Sequence, residues 1–456
     1  METKQLPQKE NSLFIKKTLG RIKKEKVSLI ELQFTDFLGN VKSATITPMQ
    51  AEEALKKGIW FDGSSVEGFA RIHESDMFLL PDPSTYASIP WRSENGQSNV
   101  IRFICDVYLP SGQPFEGDPR YILKKTIKEA KDLGFDYYTG PELEFFLFKL
   151  DENGKVKVDS KGNDNYFVFS LDKTYEIKRE MIENLDKMNI KVETAHYEVA
   201  DNQHEIDIHY DKALKTADNV ISIKYTLKSI AHRHGFCASF MPKPVYGING
   251  SGMHVHQSLF KGNKNAFYRK TDKYGLSKIA YHFLAGQLKH IREMSAILSP
   301  TVNSYKRLTP GFEAPVYICW ARKNRSALIR VPLIHKDKPG AARLELRCPD
   351  PSANPYLAFA AMLKAGLSGL KAKQSIPKPI EEDVYEFDDA KLKKHYIHQL
   401  PGSLNEALKD MKNSKLMKNL LGEYTFKRYL HTKKQEWDKY RTSVSQWELR
   451  NYLKKV

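Results

Sequence analysis

The chain has 456 residues, 41% of them hydrophobic and 28% charged, with 25 Gly and 22 Pro; this is length for two or three domains and excludes stapled miniproteins, collagen-like chains and disordered ones. The 72 Lys/Arg against 55 Asp/Glu give a formal net charge of +17. That excess is uneven, because residues 391–456 hold 16 basic and 6 acidic side chains while 381–390 (EEDVYEFDDA) holds six acids and no base, so the tail reads as a solvated helical face and no nucleic-acid partner is expected.

In chain order, residues 11–26 have helical spacing, 27–34 (VSLIELQF) alternate as a strand, and 37–40 (FLGN) form a turn into a second strand over 41–46. A third strand is expected over 100–106, and together these make a small mixed α+β domain. The Pro- and Gly-bearing stretch 109–118 (LPSGQPFEGD) separates it from the rest, which sets the domains at 1–112 and 113–456. Beyond that point helical segments (119–133, 173–188, 214–234, 277–298) alternate with short strands (142–149, 194–199, 204–209, 254–259, 327–331, 343–347). Several strands are joined by hairpin-length connections, which predicts a mostly antiparallel sheet in an α+β fold and not a doubly wound one. Pro355 opens a buried helix, and residues 403–456 read as helical. No apolar run approaches the roughly 20 residues of a membrane span. The four cysteines are far apart with no C-x-x-C pair. No membrane association and a cytoplasmic chain are therefore expected.

The segment Gly140-Pro-Glu142-Leu-Glu144 puts two carboxylates two residues apart on a strand, so both project from one face while Leu143 and Phe145 point to the other. With Asp201-Asn202 as a two-residue hairpin loop, Glu198 falls directly opposite Glu205. Like charges so placed need a cation. His254 and His256 also share a strand face, preceded by Gly250 and Gly252, which admit close backbone approach to a ligand. In 343–347 (RLELR) Glu345 lies between Arg343 and Arg347 on one face, a pattern suited to an anion held beside a metal. Singly, each pattern is more often a solvated strand face. Together, five Glu and a His exceed what one cation needs, and their oxygen-rich character favours two Mg²⁺ or Mn²⁺ ions, the usual apparatus of phosphoryl transfer.

Arg307 and Glu313 lie on a Pro/Gly-bracketed loop, and Arg325 and Arg330 follow closely. With Arg343 and Arg347 these guanidinium groups suit a multiply anionic substrate, although any one of them is as easily an ordinary salt-bridge partner. No G-x-x-x-x-G-K-[ST] occurs, and Gly247, Gly250 and Gly252 have the wrong spacing for a dinucleotide fingerprint. Any nucleotide is held by another architecture.

Seven segments in order carry a family resemblance: FDGSSVEGF (61–69), GPELEFFLF (140–148), HYEVADNQHEIDI (196–208), NGSGMHVHQSL (249–259), NSYKRLTPGFEAP (303–315), NRSALIR (324–330) and RLELRCPDPSANPYLAFAAML (343–363). From about residue 12 to the end the chain resembles type I glutamine synthetases of bacteria and archaea, in their alpha subtype. The resemblance implies a small β-grasp-like N-terminal domain and a larger catalytic domain with a curved antiparallel sheet, helices and a C-terminal helical oligomerisation segment. It implies ATP-dependent ligation of ammonia to the γ-carboxylate of L-glutamate through γ-glutamyl phosphate. Matching positions assign one metal to Glu144, Glu198 and Glu205, and the other to Glu142, His254 and Glu345. Asp62 would deprotonate ammonium, Glu313 would close the site against water, and Arg325 and Arg347 would neutralise developing charge. Asn249, Gly250, Arg307, Glu313, Arg325 and Arg347 would hold glutamate. His196, Tyr210, His256, Ser258, Arg325, Arg330 and Arg343 would face ATP.

The same resemblance implies a dodecamer of two hexameric rings, each active site borrowing Asp62 from a neighbour. Arg71 matches a position that mediates glutamine feedback, although His73 stands where an acid is expected, and the resemblance leaves room for a nitrogen-sensing protein partner. Tyr385 lacks the Leu-Pro-Pro continuation of adenylylated members, which argues against that modification. Ligation of glutamate to another amine or a polyamine is the alternative within the family. Retention of Asp62, Ser65 and Glu313 counts against it, and retention of all six metal positions counts against a relative that has lost catalysis.

Overall fold

The computed structural model describes residues 12–455 apart from 66–75, 93–98, 159–165, 169–172 and 335–336; Arg71 and His73 therefore lie outside the described residues. Two sheets organise the chain. The strand Val27–Thr35 buries Ile30, Leu32 and Phe34 and pairs antiparallel with Val41–Ile46 through the turn at Gly39, as the alternation in this stretch predicts. Its other edge pairs parallel with Asn99–Tyr108, and Asp76–Pro81 and Ile59–Asp62 extend the sheet antiparallel. Helices Ser12–Lys24 and Ala51–Lys57 contribute Ile15, Ile22, Ala54 and Leu55 to the core of this unit. A mixed sheet with helices packed on it is the arrangement expected of a β-grasp-like domain.

The second sheet has ten strands among the described residues, all antiparallel except Tyr317–Ala321 beside Ala327–Arg330. Its hub is the strand Asp136–Lys149, which pairs with Met253–Lys261 on one side and Gln203–Ile208 on the other. Tyr137, Leu143, Phe145 and Leu147 of the hub enter the large core, so the alternate set, with Glu142 and Glu144, is forced onto the opposite face. Helices Lys278–Leu298 and Pro355–Lys371 pack together as the main buried pair, the latter started by Asn354, whose side chain accepts from the amides of Tyr356 and Leu357.

One expected register is corrected. Asp201 and Asn202 do sit at the turn, with Asn202 at φ 63° and the Gln203 amide donating to Ala200 O at 3.1 Å. However, the Gln203 carbonyl accepts from Glu198 N at 2.9 Å, while Ala200 N turns to the Gln203 side chain at 3.4 Å. Val199 and Ala200 therefore bulge, and the pairing slips by two residues. His196, and not Glu198, lies opposite Glu205.

The tail is helical, but in separate pieces: Leu404–Lys412, Lys415–Thr442 (broken at Gly422, φ 76°) and Gln446–Tyr452. Ser403, Ser414 and Ser445 end the preceding segments by capping the next helix with their side-chain oxygens. Most tail lysines are exposed, whereas Lys433 is buried and paired with Glu436 at 2.8 Å. No described helix is long and apolar enough to cross a membrane.

Candidate active site

Strand register gathers the carboxylates. Glu142 lies opposite Asp207 on one neighbour and His254 on the other, Glu144 lies opposite Glu205, and His256 and Arg330 both lie opposite Glu345. Because these positions alternate with core residues, all of them project from the same face of the sheet. His254 Nδ1 is 3.2 Å from Glu142 Oε2 and 3.9 Å from Glu345 Oε1, so this trio presents its ligand atoms within 4.8 Å of one another. Arg343 Nε donates to His256 Nδ1 at 3.2 Å, which leaves the proton on Nε2 to be donated to Glu142 Oε1 at 2.6 Å.

Deeper in, Glu144 accepts from Gln203 Nε2 and from the Gly252 amide, both at 2.9 Å. Glu205 lies 3.3 Å from His196 Nε2, and Phe167 stacks on that imidazole with centroids 4.3 Å apart. Glu144, Glu198 and Glu205 face one pocket of about 370 Å³, which Glu142, His254 and Glu345 also line. Asn249, Gly250, Arg307, Glu313, Arg325, Arg330 and Arg347 complete the expected residues on its wall. Two glycines permit this closeness: a Cβ on Gly252 would stand 2.5 Å from Arg307 Nη2, and one on Gly250 would stand 2.3 Å from Pro242 O. An adjoining pocket of about 480 Å³ is lined by Tyr210, His256, Ser258 and Arg343 and shares Glu142 with the first. Four of the seven residues expected near nucleotide thus sit on the far side of Glu142 from those expected near glutamate, while Arg325 and Arg330 line the first pocket and His196 lies beside Glu205.

Six glutamates and four arginines line the main pocket, leaving it short of positive charge. Burial, followed by the charge of Glu198, pushes Glu144 up to about 8; burial, followed by Glu144 and Asp207, pushes Glu205 up to about 12. Burial works the same way on Glu142, but hydrogen bonds from His254 and His256 outweigh it and hold that carboxyl well below its usual range. Hard oxygen donors crowded past what the arginines balance, with one imidazole among them, fit divalent cations of the Mg²⁺ or Mn²⁺ type.

A linkage prediction follows from the two raised groups. In protein treated with EDTA the folded state holds protons on Glu144 and Glu205 that the unfolded chain, with carboxyls near 4.5, releases. Their contribution to stability is therefore present in acid and is lost as pH rises from the unfolded value toward about 8. The thermal midpoint of the stripped protein should fall between pH 6 and pH 8, and saturating Mg²⁺ should remove most of that slope. Equal slopes with and without Mg²⁺ would contradict the assignment.

Asp62 is not part of this pocket. It ends the edge strand Ile59–Asp62, exposed, with one oxygen accepting from Ser64 N at 2.8 Å and Ser64 Oγ at 2.6 Å. Beside it Trp60 is 61% exposed. Sequence reasoning passed over four residues that bear on the site. Asp207 had a usable signal, being two residues from Glu205 on the same strand face. Gln203 and Phe312 lay inside recognised segments, and Tyr166 carried no local signal.

Comparison with known proteins follows the same outline. The family model for the glutamine synthetase catalytic domain matches residues 116–452, and that for the glutamine synthetase beta-Grasp domain matches 26–110. The chain is 50% identical over 436 residues to a glutamine synthetase of Methanosarcina mazei, covering 95% of this chain and 96% of that one. It is 48% identical over 433 residues to one of Thermotoga maritima, covering 95% and 98%. Among solved structures, Plasmodium falciparum glutamine synthetase superposes with a TM-score of 0.87 at 28% identity, over 99% of this chain and 100% of that one. The ADP complex of GmaS superposes with a TM-score of 0.86 at 29% identity, over 96% and 99%.

Proposed function

The chain belongs to the glutamine synthetase family, and on that premise we propose that the six-glutamate, four-arginine pocket is where glutamate, ATP and ammonia are joined. The activity is that of a glutamate–ammonia ligase, dependent on ATP and a divalent metal. The observation that carries the placement is the convergence of Glu142, His254 and Glu345 with Glu144, Glu198 and Glu205 on one wall. These two sets would hold two Mg²⁺ ions, which screen the charge of the phosphoryl group in transit. Arg325 and Arg347 face the same space and offset the charge that develops on the transferring group. Asn249, Gly250 and Arg307 orient glutamate so that its γ-carboxylate meets the phosphate. Tyr210, His256, Ser258 and Arg343 receive the nucleotide from the adjoining pocket, with Arg330 reaching it from the main pocket and His196 from beside Glu205. Glu313 at the rim excludes water from the acyl phosphate.

Asp62 completes the site from a neighbouring subunit, in a dodecamer of two hexameric rings. Its exposure, together with that of Trp60, supports this, since neither has a role within its own chain's pocket. A cytoplasmic location is part of the same reading, supported by four free cysteines.

Two measurements test it. Phosphate release from ATP and glutamate should be strictly ammonium-dependent and should yield glutamine; release only with an added amine would move the reading to an amine ligase. Mixing Asp62→Asn and Glu345→Ala chains, each inactive alone, should restore about one quarter of wild-type activity, because in a randomly mixed ring that share of shared sites has both intact halves. No recovery after verified co-assembly would place Asp62 outside the neighbour's site.

A further inference from the structure

Lys243 is 8% exposed, and among the described residues no carboxylate pairs with it. Burying an ammonium without a counter-ion is costly, so such a group is kept where its contacts matter. Its backbone is clamped at both ends by one side chain: the amide donates to Asn303 Oδ1 at 2.7 Å and the carbonyl accepts from Asn303 Nδ2 at 3.0 Å. Its Nζ donates to the carbonyl of Ile248, the residue before Asn249, and sits 3.6 Å from the centroid of the Phe312 ring. Its stem passes under Gly250, where an added Cβ would lie 3.2 Å from Lys243 Cδ. Lys243 thus meets three separate pieces of the pocket wall: its backbone is held by Asn303 at the start of the short helix Ser304–Arg307, and its side chain reaches residues 248–250 and Phe312 in the segment that carries Glu313.

That last segment needs an anchor. Gly311 has φ 89° and Glu313 φ 53°, so a non-glycine residue is held in the left-handed region at the rim of the pocket. Such a conformation persists only where the surroundings over-determine it. Phe312 lies between the two, and the Lys243 ammonium covers its ring.

Resting on the reading of the pocket given above, we propose that Lys243 is a positioning residue: it ties Phe312 to the Asn249–Gly250 loop and thereby sets Glu313 over the bound acyl phosphate. In the productive step ammonia attacks the γ-carbonyl carbon, the carbon–oxygen bond to phosphate breaks, and phosphate leaves with that electron pair and takes up the proton the nitrogen sheds. If the rim is loose, water attacks the same carbon, giving glutamate and phosphate. The device therefore acts on the ratio of phosphate released to glutamine formed.

The test uses Lys243→Met, Lys243→Arg, Phe312→Leu and the Lys243→Met/Phe312→Leu double variant of the full-length protein. Lys243→Met and Phe312→Leu should each raise the phosphate-to-glutamine ratio several-fold above unity and raise the KM for glutamate about tenfold, the size of a lost desolvated cation–π contact. The double variant should be no worse than the singles, and Lys243→Arg, which can still cover the ring, should stay near wild type. A unit ratio in both single variants, or additive losses in the double, would overturn the proposal. Amide hydrogen exchange gives a readout that needs no turnover: residues 311–314 should exchange faster in Lys243→Met than in wild type with the rest of the protein unchanged, and equal exchange would refute the anchor. Wild-type protein that made no glutamine would refute the reading of the pocket, and the exchange result would still decide the role of Lys243.

Discussion

Glu345→Ala is expected to lower glutamine formation by a factor on the order of 10³, the several kcal/mol that a correctly held metal contributes to charge stabilisation, while the assembled protein keeps its size. Glu345 is 1% exposed at the centre of the short strand Leu344–Leu346. One of its oxygens accepts from Arg330 Nε, and the other lies 3.4 Å from Arg347 Nη1 and 3.9 Å from His254 Nδ1. Burial alone would raise its pKa, but the imidazole of His256 and the guanidinium groups of Arg347 and Arg330 outweigh that and hold it below its ordinary range. Truncation removes a proposed metal ligand, and it also leaves two guanidinium groups uncompensated beside the position a cation would take, so both changes would weaken metal binding. The fold has less at stake, because Leu344 and Leu346 keep their places in the core and the ladder to Val255 and Ile329 uses backbone groups. Glu345→Gln keeps the shape and loses the charge; its activity should be lower than wild type and partly restored by raising Mg²⁺. Turnover by the alanine variant within tenfold of wild type, at matched size by light scattering, would refute the metal assignment.

The residues on this wall were legible because strand geometry is local. A period of two puts Glu142 with Glu144, and His254 with His256, on one face whatever the rest of the fold does, and hairpin-length connections announce antiparallel neighbours. The slip at Glu198 was not legible, because it turns on whether Ala200 N bonds to the backbone or the side chain of Gln203, and sequence offers both. In the small sheet, the parallel pairing of Val27–Thr35 with Asn99–Tyr108 joins segments about seventy residues apart, with no turn to signal it. Lys243 and Tyr166 were missed for a related reason, since their partners Phe312 and His196 come from other parts of the chain. Asp62 was singled out by its motif alone, and the pocket of its own chain does not include it; its proposed place in a neighbour's site concerns a surface between two chains, on which a pattern within one chain carries no information.

Buried charge was the least legible feature of all, because Arg and Asp in a helix read as surface residues, and Arg120 is the clearest instance. Its side chain is 3% exposed, yet it meets three carboxylates: Nη1 donates to Asp106 at 2.7 Å, Nη2 to Asp82 at 2.8 Å, and Nε and Nη2 to Asp218 at 3.0 Å each. Asp106 belongs to the small sheet and Asp82 directly follows its strand Asp76–Pro81, whereas Asp218 lies on the helix Ala213–Arg233 of the large unit, where it also accepts from Tyr356 Oη at 2.7 Å. One guanidinium therefore bolts the two units together. Arg120→Met should cost about 3–5 kcal/mol, the scale for removing one partner of a buried ionic cluster, because the carboxylates left behind lose the guanidinium that all three share. Arg120→Lys should recover part of this, since a point charge cannot serve three carboxylates in one plane. Burial acts to raise Asp82 and Asp106, but the charge of Arg120, together with Ser84 on Asp82 and Lys124 on Asp106, more than offsets it and holds both below the ordinary carboxylate range. Stability from such lowered groups is present above the unfolded pKa and is lost as pH falls through the folded one. The deficit of Arg120→Met in denaturant unfolding should thus be largest near neutral pH and shrink as the medium is taken below pH 4, where the carboxylates protonate in either protein. A deficit that stays constant with pH would mean that Arg120 stabilises the junction by packing and not by charge.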